Sequence, residues 1–380
     1  MRRLALAAAI ALGASAGAHA APLPPIGHVF VIVLENEGYG TTFGAASPAP
    51  YLARTLPQAG ALLRQYHGVG HYSLGNYLAM ISGQGLNPET QDDCPVFTPF
   101  RQTGTDRDGQ AIGSGCVYPP AVDTVAGQLR RAGRRWRGYM EDMGRDPARE
   151  AAACAHPPLG GRDPTQRAEP KDQYATRHDP FVYFHSIIDR PDCVANVVPL
   201  TRLPDDLAGD TPDFVFVTPN LCHDGHDGGP GTRRCADGEP GGLVSADAFL
   251  GEWVPRITQS AAFRKDGLLI VTFDESDFDA DRPAGEDAAA CCGEVSGPNL
   301  PPGAMLDGAP DRGPGIAGPG GGRIGAVLLS PFIRPGTVSD RPYNHYSLLR
   351  SIETVFGLPP LGYAGAAGIT PFGADVFGSG

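Results

Sequence analysis

The stretch HVFVIVLEN, residues 28–36, decides the fold class. Its first part, residues 28–34, is β-branched and apolar without polar alternation, which is typical of a strand buried on both faces of a parallel sheet. Glu35 and Asn36 follow at once. In parallel sheets, binding sites lie beyond the carboxyl ends of the strands. A buried strand that runs straight into an acid and an amide therefore predicts a functional site at that edge.

The same pattern occurs twice more along the chain. The apolar segment 214–218 runs into the polar loop 219–227, and the segment 268–273 runs into Asp274 and Glu275. Helical patterns lie between the strands. Helices are predicted at 73–82, 124–132, 246–262 and 346–356, and further strands at 61–65, 136–141 and 326–330. This alternation predicts an α/β fold, a three-layer α/β/α sandwich with a mostly parallel sheet.

Size and charge exclude several classes of protein. The chain has 380 residues, 41% of them hydrophobic, so a sizeable core is expected rather than disorder. Its formal net charge of −12 should repel nucleic acid and anionic membrane surfaces. Its body contains no apolar run of membrane-spanning length. We therefore expect neither a nucleic-acid partner nor stable membrane insertion.

The N-terminus has the pattern of a secretory signal. Arg2 and Arg3 precede the apolar run 4–12, and the small residues 18–20 form a cleavage site. A retained anchor is the weaker alternative. We predict a signal peptide at 1–20, a domain at 21–380, and a secreted protein in the extracellular, periplasmic or cell-wall space. A Gly- and Pro-rich stretch at about 277–322 is predicted to be an insertion next to the site.

The cysteines of an exported protein are expected to form disulfides. Short separations favour three local pairs and leave an adjacent pair as the least certain. These are Cys94–Cys116, Cys154–Cys193 and Cys222–Cys235, with Cys291 and Cys292 adjacent.

Polar residues after the three strands predict a metal site. Carboxylate and amide oxygens suit Ca²⁺, Mg²⁺ or Mn²⁺, and added histidine suits Zn²⁺. Each residue alone could instead be a helix cap or a turn former. Three such strand endings in one chain favour a divalent cation, with the candidate ligands Glu35, Asn36, Asp274, Glu275 and Asp227.

A second segment supplies a candidate nucleophile. Ser73 lies at the predicted start of a helix, in the sequence HYSLGNY at 71–77. Backbone N–H groups and the helix dipole favour anions there, and a hydroxyl beside a metal or a base can attack phosphorus. The alternative is a plain N-cap, which contributes about 1 kcal/mol to helix stability.

Together these motifs resemble the bacterial phosphoesterase family of the alkaline-phosphatase-like superfamily. That family contains secreted acid phosphatases, phosphatidylinositol-phosphate phosphatases and phospholipases C. The resemblance covers roughly residues 26–356. Its motifs are Leu34-Glu35-Asn36 with Tyr39 and Phe43-Gly44, residues 71–78, Pro219-Asn220 with His226-Asp227, residues 272–275, and residues 344–347.

The resemblance implies an alkaline-phosphatase-like fold and a metal-dependent phosphoesterase. Ser73 matches the nucleophile, and Asn76 matches the asparagine that follows it. Three histidines match positions near the reaction, namely His71, His226 and His345. The implied substrate is a phosphate ester, either a small molecule or a phosphoinositide head group, hydrolysed through a phosphoserine.

Some positions depart from the family pattern. The family often has proline at the positions of Tyr72 and Gly75, and its phospholipase branch usually continues the Glu-Asn pair differently from Glu37-Gly38. The different continuation after the Glu-Asn pair favours an acid phosphatase acting on phosphomonoesters. A phospholipase C-type phosphodiesterase and a non-catalytic secreted surface protein with structural metal remain as alternatives.

Overall fold

The structure is a computed structural model of the chain. The residues described are 23–228, 234–277, 288–295, 297–300 and 320–378. The predicted signal peptide and most of the predicted insertion at 277–322 lie outside these residues.

An eight-stranded sheet forms the centre of the described structure. The strands of the described residues are β1 His28–Leu34, β2 Ala61–Leu63, β3 Tyr66–His67, β4 Arg101–Thr105, β5 Ala111–Ser114, β6 Trp136–Met140, β7 Val197–Pro199, β8 Phe214–Thr218, β9 Gly267–Phe273, β10 Ala326–Leu329, β11 Thr337–Ser339 and β12 Tyr343–Asn344. The central sheet has the order β11-β2-β10-β9-β1-β8-β6-β7. Two small pairs, β12 with β3 and β4 with β5, lie outside it.

The sheet is mostly parallel, as the buried apolar strands predict. β1 pairs in parallel with β8 on one side and with β9 on the other. β6 is parallel to both β8 and β7. β10 is the exception, because it runs antiparallel to β9 and to β2. The three strands that carry the polar endings are therefore neighbours and end at one edge.

The helices form two packed groups. The α-helices are α1 Tyr39–Phe43, α2 Leu56–Ala59, α3 Ser73–Ser82, α4 Val125–Arg131, α5 His185–Ile188, α6 Cys193–Asn196, α7 Leu203–Ala208, α8 Gly242–Gln259, α9 Ala261–Asp266, α10 His345–Phe356 and α11 Ala374–Phe377. Short 3₁₀ turns cover Thr90–Asp92, Thr176–His178, Pro180–Tyr183, Leu200–Arg202 and Gly362–Gly365, and a π-helical turn covers Tyr51–Thr55. α3 packs with α4 and α10, whereas α7, α8 and α9 pack with one another. The sandwich fold predicted from the sequence is confirmed.

Local sequence explains where the main helices begin and end. Thr124 caps α4 by accepting a hydrogen bond from Gly127 N, and Asn344 caps α10 through Ser347 N. The helix predicted as one element at 246–262 consists of α8 and α9. They are separated at Ser260, whose hydroxyl caps α9 by accepting from Phe263 N.

The disulfides follow the local pairing. Bonds join Cys94 to Cys116, Cys154 to Cys193, Cys222 to Cys235, and Cys291 to Cys292.

Among the described residues, no helix combines the length and apolarity needed to cross a membrane.

Candidate phosphoesterase site

The strand register places Glu35 beside Asp274. Leu34 and Phe273 are partners at the ends of β1 and β9, so the next residues of the two strands face one edge together. Asp274 N donates a 2.9 Å hydrogen bond to Leu34 O, and Asn36 N donates a 3.1 Å bond to Asp274 Oδ1. Asn36 reaches this position with φ of 55°, a left-handed conformation that asparagine tolerates well. The two predicted acidic endings therefore form one unit.

The loop after β8 adds a third carboxylate, which no sequence motif marked as a ligand. Glu35 N donates a 2.8 Å hydrogen bond to Asp224 O, and the Asp224 side chain is fully buried. Asp227, the ligand expected from the motif, lies instead with its Oδ1 3.3 Å from His226 Nδ1 and is partly exposed. Its role as a metal ligand stays a prediction.

Ser73 is the first residue of α3 and points its hydroxyl at the acidic cluster. Its Oγ donates a 2.7 Å hydrogen bond to Glu35 Oε2. Asn36 Nδ2 donates to the same oxygen at 2.8 Å, and Tyr77 OH donates to Glu35 Oε1 at 2.8 Å. Tyr72, just before the helix, has φ of 74°, a strained conformation for a tyrosine. Asn36 and Tyr77 thus hold Glu35 against the candidate nucleophile.

Asn76 holds the turn in front of the nucleophile rather than facing the cavity. Its Oδ1 accepts from Val69 N at 2.9 Å and from Gly70 N at 3.3 Å. Its Nδ2 donates to Gly70 O at 2.8 Å and to Tyr72 O at 3.2 Å. Because it is fully buried and bonded to backbone on both sides, Asn76 can position Ser73.

Packing leaves no room for a side chain at Gly75. A Cβ at Gly75 would lie 2.0 Å from Leu86 Cδ2, and a Cβ at Gly70 would lie 2.1 Å from Leu86 Cδ1. The two glycines therefore enclose the buried Leu86 side chain between the turn and the first turn of α3. Leu86 supports the helix start that carries Ser73.

The three predicted histidines occupy different positions. His71 and His226 line the cavity in front of Ser73. His71 is buried with its Nδ1 3.1 Å from Glu275 Oε2, whereas the His226 side chain is half exposed. His345 is buried and faces away: its Nδ1 is 3.1 Å from Tyr66 OH, and its Nε2 contacts the backbone carbonyl of Asp274.

His178 is a buried member of the cluster that sequence reasoning missed. Its ring stacks on Tyr77 with centroids 5.3 Å apart. Its Nε2 lies 3.4 Å from Glu35 Oε1 and its Nδ1 lies 3.6 Å from Asp224 Oδ2. Burial lowers the pKa of His178 well below its usual value, so the ring is neutral and available as a ligand or an acceptor. Its segment has no periodicity that could have marked it.

The carboxyl groups are crowded enough to perturb one another. Burial first, and then the charges of Asp274 and Asp224, raise the pKa of Glu35 well above its usual value. Burial raises the pKa of Asp274 to about 6 and that of Asp224 to about 7. Burial and the charge of Asp274 also raise the pKa of Glu275 well above its usual value. A cation in this cluster would relieve the repulsion.

Two buried oxygens fit such a cation. Among the described residues, Asp274 Oδ2 and Asp224 Oδ2 have no hydrogen-bond partner. Buried polar atoms are normally satisfied, so unpartnered oxygens in a carboxylate cluster are consistent with an ion. The donor set of carboxylates with one amide and a neutral imidazole suits a hard or borderline divalent cation.

A second cluster of potential ligands does not suit a metal. Cys222 lies close to His223 and Glu239, and Cys222 with Cys235 lies close to Asp237. Both sulfurs belong to one disulfide, so neither can act as a thiolate ligand. Hydrogen bonds and charges from Glu141 and Glu239 outweigh burial and raise the pKa of His223 to about 9, which keeps that ring protonated.

The site opens into a cavity of about 320 Å³. The cavity is large enough for a phosphoryl group with a small leaving group. It is lined by Glu35, Asn36, His71, Tyr72, Ser73, Asp93, Arg177, His226, Glu275 and Asp277. Arg177 and Asp93 were not anticipated from the sequence, because their segments gave no motif.

Comparisons with known proteins identify the family. The model of the phosphoesterase family matches residues 46–359. The chain is 24% identical to phosphatidylinositol-3-phosphatase of Mycobacterium tuberculosis, over 92% of this chain and 83% of that protein. It is 26% identical to the phosphate-repressible acid phosphatase of Penicillium chrysogenum, over 92% of this chain and 65% of that protein. The chain therefore spans just under two thirds of this fungal relative.

Among solved structures, one from a study of glycosaminoglycan metabolism by Bacteroides thetaiotaomicron superposes with a TM-score of 0.50. Its sequence is 11% identical, and the match covers 93% of this chain and 82% of that chain. At this identity the likeness concerns the fold alone.

Proposed function

Because the chain belongs to the phosphoesterase family, we propose that it is a secreted, metal-dependent phosphatase that hydrolyses phosphomonoesters through a phosphoserine at Ser73. The observation that carries the proposal is the 2.7 Å hydrogen bond from Ser73 Oγ to Glu35 Oε2 at the start of α3. The hydroxyl, its hydrogen-bond acceptor and further buried carboxylates lie at one end of an open cavity, which supports the proposal.

Ser73 is the nucleophile in this proposal. As its Oγ attacks phosphorus, the serine proton passes to Glu35 Oε2, which already accepts it in a hydrogen bond. The new Oγ–P bond forms as the bond from phosphorus to the leaving oxygen breaks. Water then attacks phosphorus and gives a proton to the histidine that protonated the leaving alcohol. The Oγ–P bond breaks as Oγ takes back the proton held on Glu35, and inorganic phosphate and free Ser73 result. Tyr77 keeps Glu35 oriented throughout, through its bond to Oε1.

The residues that would hold the cation are Glu35, Asn36, Asp274 and Asp224, with Glu275 and His178 next to them. When bound, a divalent cation supplies positive charge that stabilises the serine oxygen and the phosphoryl oxygens. Glu35 and Asp274 follow adjacent strands and Asp224 lies in the loop after a third, so the three carboxyl groups share one edge of the sheet. Asp227 is a further candidate ligand, and its Oδ1 lies 3.3 Å from His226 Nδ1.

A histidine can protonate the leaving alcohol. His226 and His71 line the cavity, whereas His345 contacts the backbone carbonyl of Asp274 and Tyr66. His226 lies at the solvent-exposed side, and a hydrogen bond to Asp227 raises its pKa above the usual value. This shift favours the protonated ring, which can donate. We favour His226 as the proton donor and His345 as a support of the Asp274 turn.

The substrate is a phosphate ester. The names of the relatives support a small phosphomonoester or a phosphoinositide head group. The signal-like pattern at 1–20 and the disulfides support secretion. In this proposal, residues 21–380 form one catalytic domain.

The proposal is tested with p-nitrophenyl phosphate. Ser73→Ala should lower kcat at least about 10³-fold, because it removes the attacking atom. Ser82→Ala is a matched control: Ser82 is buried at the far end of the same helix, where its hydroxyl donates to Leu78 O and accepts from Gln84 N. A chelator should abolish turnover by the wild type, and added divalent cation should restore it. Equal rates for wild type and Ser73→Ala would contradict the nucleophile assignment.

A further inference from the structure

Arg177 is a buried cation in a cavity of acids. Among the described residues that line the cavity, it is the one side chain with a permanent positive charge, against four carboxyl groups. Its side chain is only 11% exposed. Burial lowers the pKa of Arg177, but the charges of Asp93, Glu35 and Asp224 outweigh this effect, and the guanidinium stays charged.

Most N–H donors of the Arg177 guanidinium are not used in hydrogen bonds to the described residues. Its Nη1 donates to Gln166 O at 3.3 Å, and its Nε lies 3.6 Å from Asp93 Oδ2, too far for a hydrogen bond. A guanidinium has five N–H donors in a planar fork. The others have no acceptor among the described residues, and the side chain faces the cavity. Such a fork matches two oxygens of a phosphoryl group.

Asp93 connects this guanidinium to the start of the nucleophile helix. Its Oδ1 accepts a 3.0 Å hydrogen bond from Leu74 N, the residue after Ser73, while its Oδ2 faces Arg177. The neighbouring Cys94 is bonded to Cys116. Asp93 therefore lies between the two groups, hydrogen-bonded to the start of α3 and at ion-pair distance from the guanidinium.

We propose that Arg177 binds the non-bridging oxygens of the phosphoryl group as Ser73 attacks, and that Asp93 is the positioning residue that keeps the two groups aligned. This inference rests on the proposed phosphatase function and assigns it a substrate preference. A phosphomonoester presents more negative charge and more free oxygens than a diester, so a buried fork favours the monoester.

Substitution of Arg177 should act on binding of the phosphoryl group. Arg177→Ala should lower kcat/KM for p-nitrophenyl phosphate about 100-fold, because two charge-assisted hydrogen bonds are lost. The loss for bis-p-nitrophenyl phosphate should be smaller, about tenfold. Arg177→Lys keeps the charge without the fork, so it should fall between wild type and Arg177→Ala. Arg162→Ala is the control, because Arg162 is exposed and does not line the cavity, and it should behave as the wild type.

Two readouts separate binding from a structural role. Inorganic phosphate should inhibit the wild type competitively, and its inhibition constant should rise at least about tenfold in Arg177→Ala. Added guanidinium should partly restore the rate of Arg177→Ala, whereas methylammonium should not. Asp93→Asn keeps an acceptor for Leu74 N but loses its charge, so it should lower kcat more than it raises KM.

The outcomes are distinct. Circular dichroism establishes that each variant is folded, and Arg177→Lys provides the comparison if Arg177→Ala is not. Unchanged phosphate inhibition and an unchanged ratio of monoester to diester rates in either folded variant would overturn the inference. A wild type without turnover would refute the proposed function instead, and calorimetric titration of wild type and variants with inorganic phosphate would still test Arg177.

Discussion

The packing of Leu86 against Gly75 leads to a prediction about the stability of the variant Gly75→Ala. Two opposing free-energy effects, helix propensity and overpacking, decide whether the variant is more or less stable than the wild type. In a helix interior, replacing glycine with alanine usually stabilises by about 1 kcal/mol. At Gly75 the new Cβ would lie 2.0 Å from Leu86 Cδ2, and Leu86 cannot easily turn away, because Gly70 confines its other methyl group. Overpacking of a buried site costs about 1–3 kcal/mol. We therefore expect Gly75→Ala to destabilise by about 1 kcal/mol despite its better helix propensity.

Truncating Leu86 should turn the destabilising effect of Gly75→Ala into a stabilising one. In the Leu86→Ala background the clash is gone, so Gly75→Ala should stabilise by about 1 kcal/mol. Leu86→Ala alone should cost about 2–5 kcal/mol because it leaves a cavity. The expected interaction energy between the two positions is then about 2 kcal/mol, within the range found for residues in contact.

The assay is urea unfolding with the disulfides intact. Gly251→Ala is the control, because Gly251 lies on the exposed face of α8 and a Cβ added there would have nothing within 4 Å, so this variant should gain about 1 kcal/mol. Gly75→Ala should also lower kcat/KM, since the displaced helix start carries Ser73. Equal stabilisation by Gly75→Ala in both backgrounds would refute the packing argument.

Three further predictions follow from the same contacts. Tyr77→Phe removes the hydrogen bond to Glu35 Oε1 and should lower kcat about 10–100-fold while leaving KM nearly unchanged; steady-state kinetics with an unchanged kcat would contradict it. Burial raises the pKa of Glu353 to about 8, so its contribution to stability is fully present below about pH 4.5 and is lost as the pH rises through 8. Glu353→Gln should therefore flatten the fall in unfolding free energy between pH 5 and 8 by at least about 1.4 kcal/mol, and an unaltered pH profile would count against this. Chelation should lower the unfolding temperature of the wild type by leaving the buried carboxylates unscreened, and it should have a much smaller effect on Asp274→Asn; equal shifts in calorimetry would argue against a cation at Asp274.

Much of the fold could be predicted from local patterns. The buried strands β1, β8 and β9 have long apolar runs, and each prediction was confirmed. Sequence order was also enough for three disulfides, which join consecutive cysteines as predicted, whereas the bond between Cys291 and Cys292 had been left as the least certain pair. The resemblance to the phosphoesterase family is confirmed by the family model.

The candidate site could be predicted only in part. Glu35, Asp274 and Ser73 directly follow a strand or begin a helix, so their neighbourhood follows from topology. His178, Arg177 and Asp93 come from irregular segments that tertiary packing folds back to the site, and no local pattern marks them. Asp224 lay within a segment that was recognised, but only the turn after β8 determines that its backbone bonds to Glu35 and that its charge acts on the Glu35 carboxyl group.

The stereochemical course at phosphorus tests the central claim most directly. A phosphomonoester made chiral with oxygen isotopes is turned over in the presence of an acceptor alcohol, and the configuration of the transferred phosphoryl group is determined. Attack by Ser73 followed by a second displacement inverts phosphorus twice, so the account predicts net retention. Net inversion would mean that the acceptor attacks the substrate directly, and the phosphoserine at Ser73 would have to be abandoned.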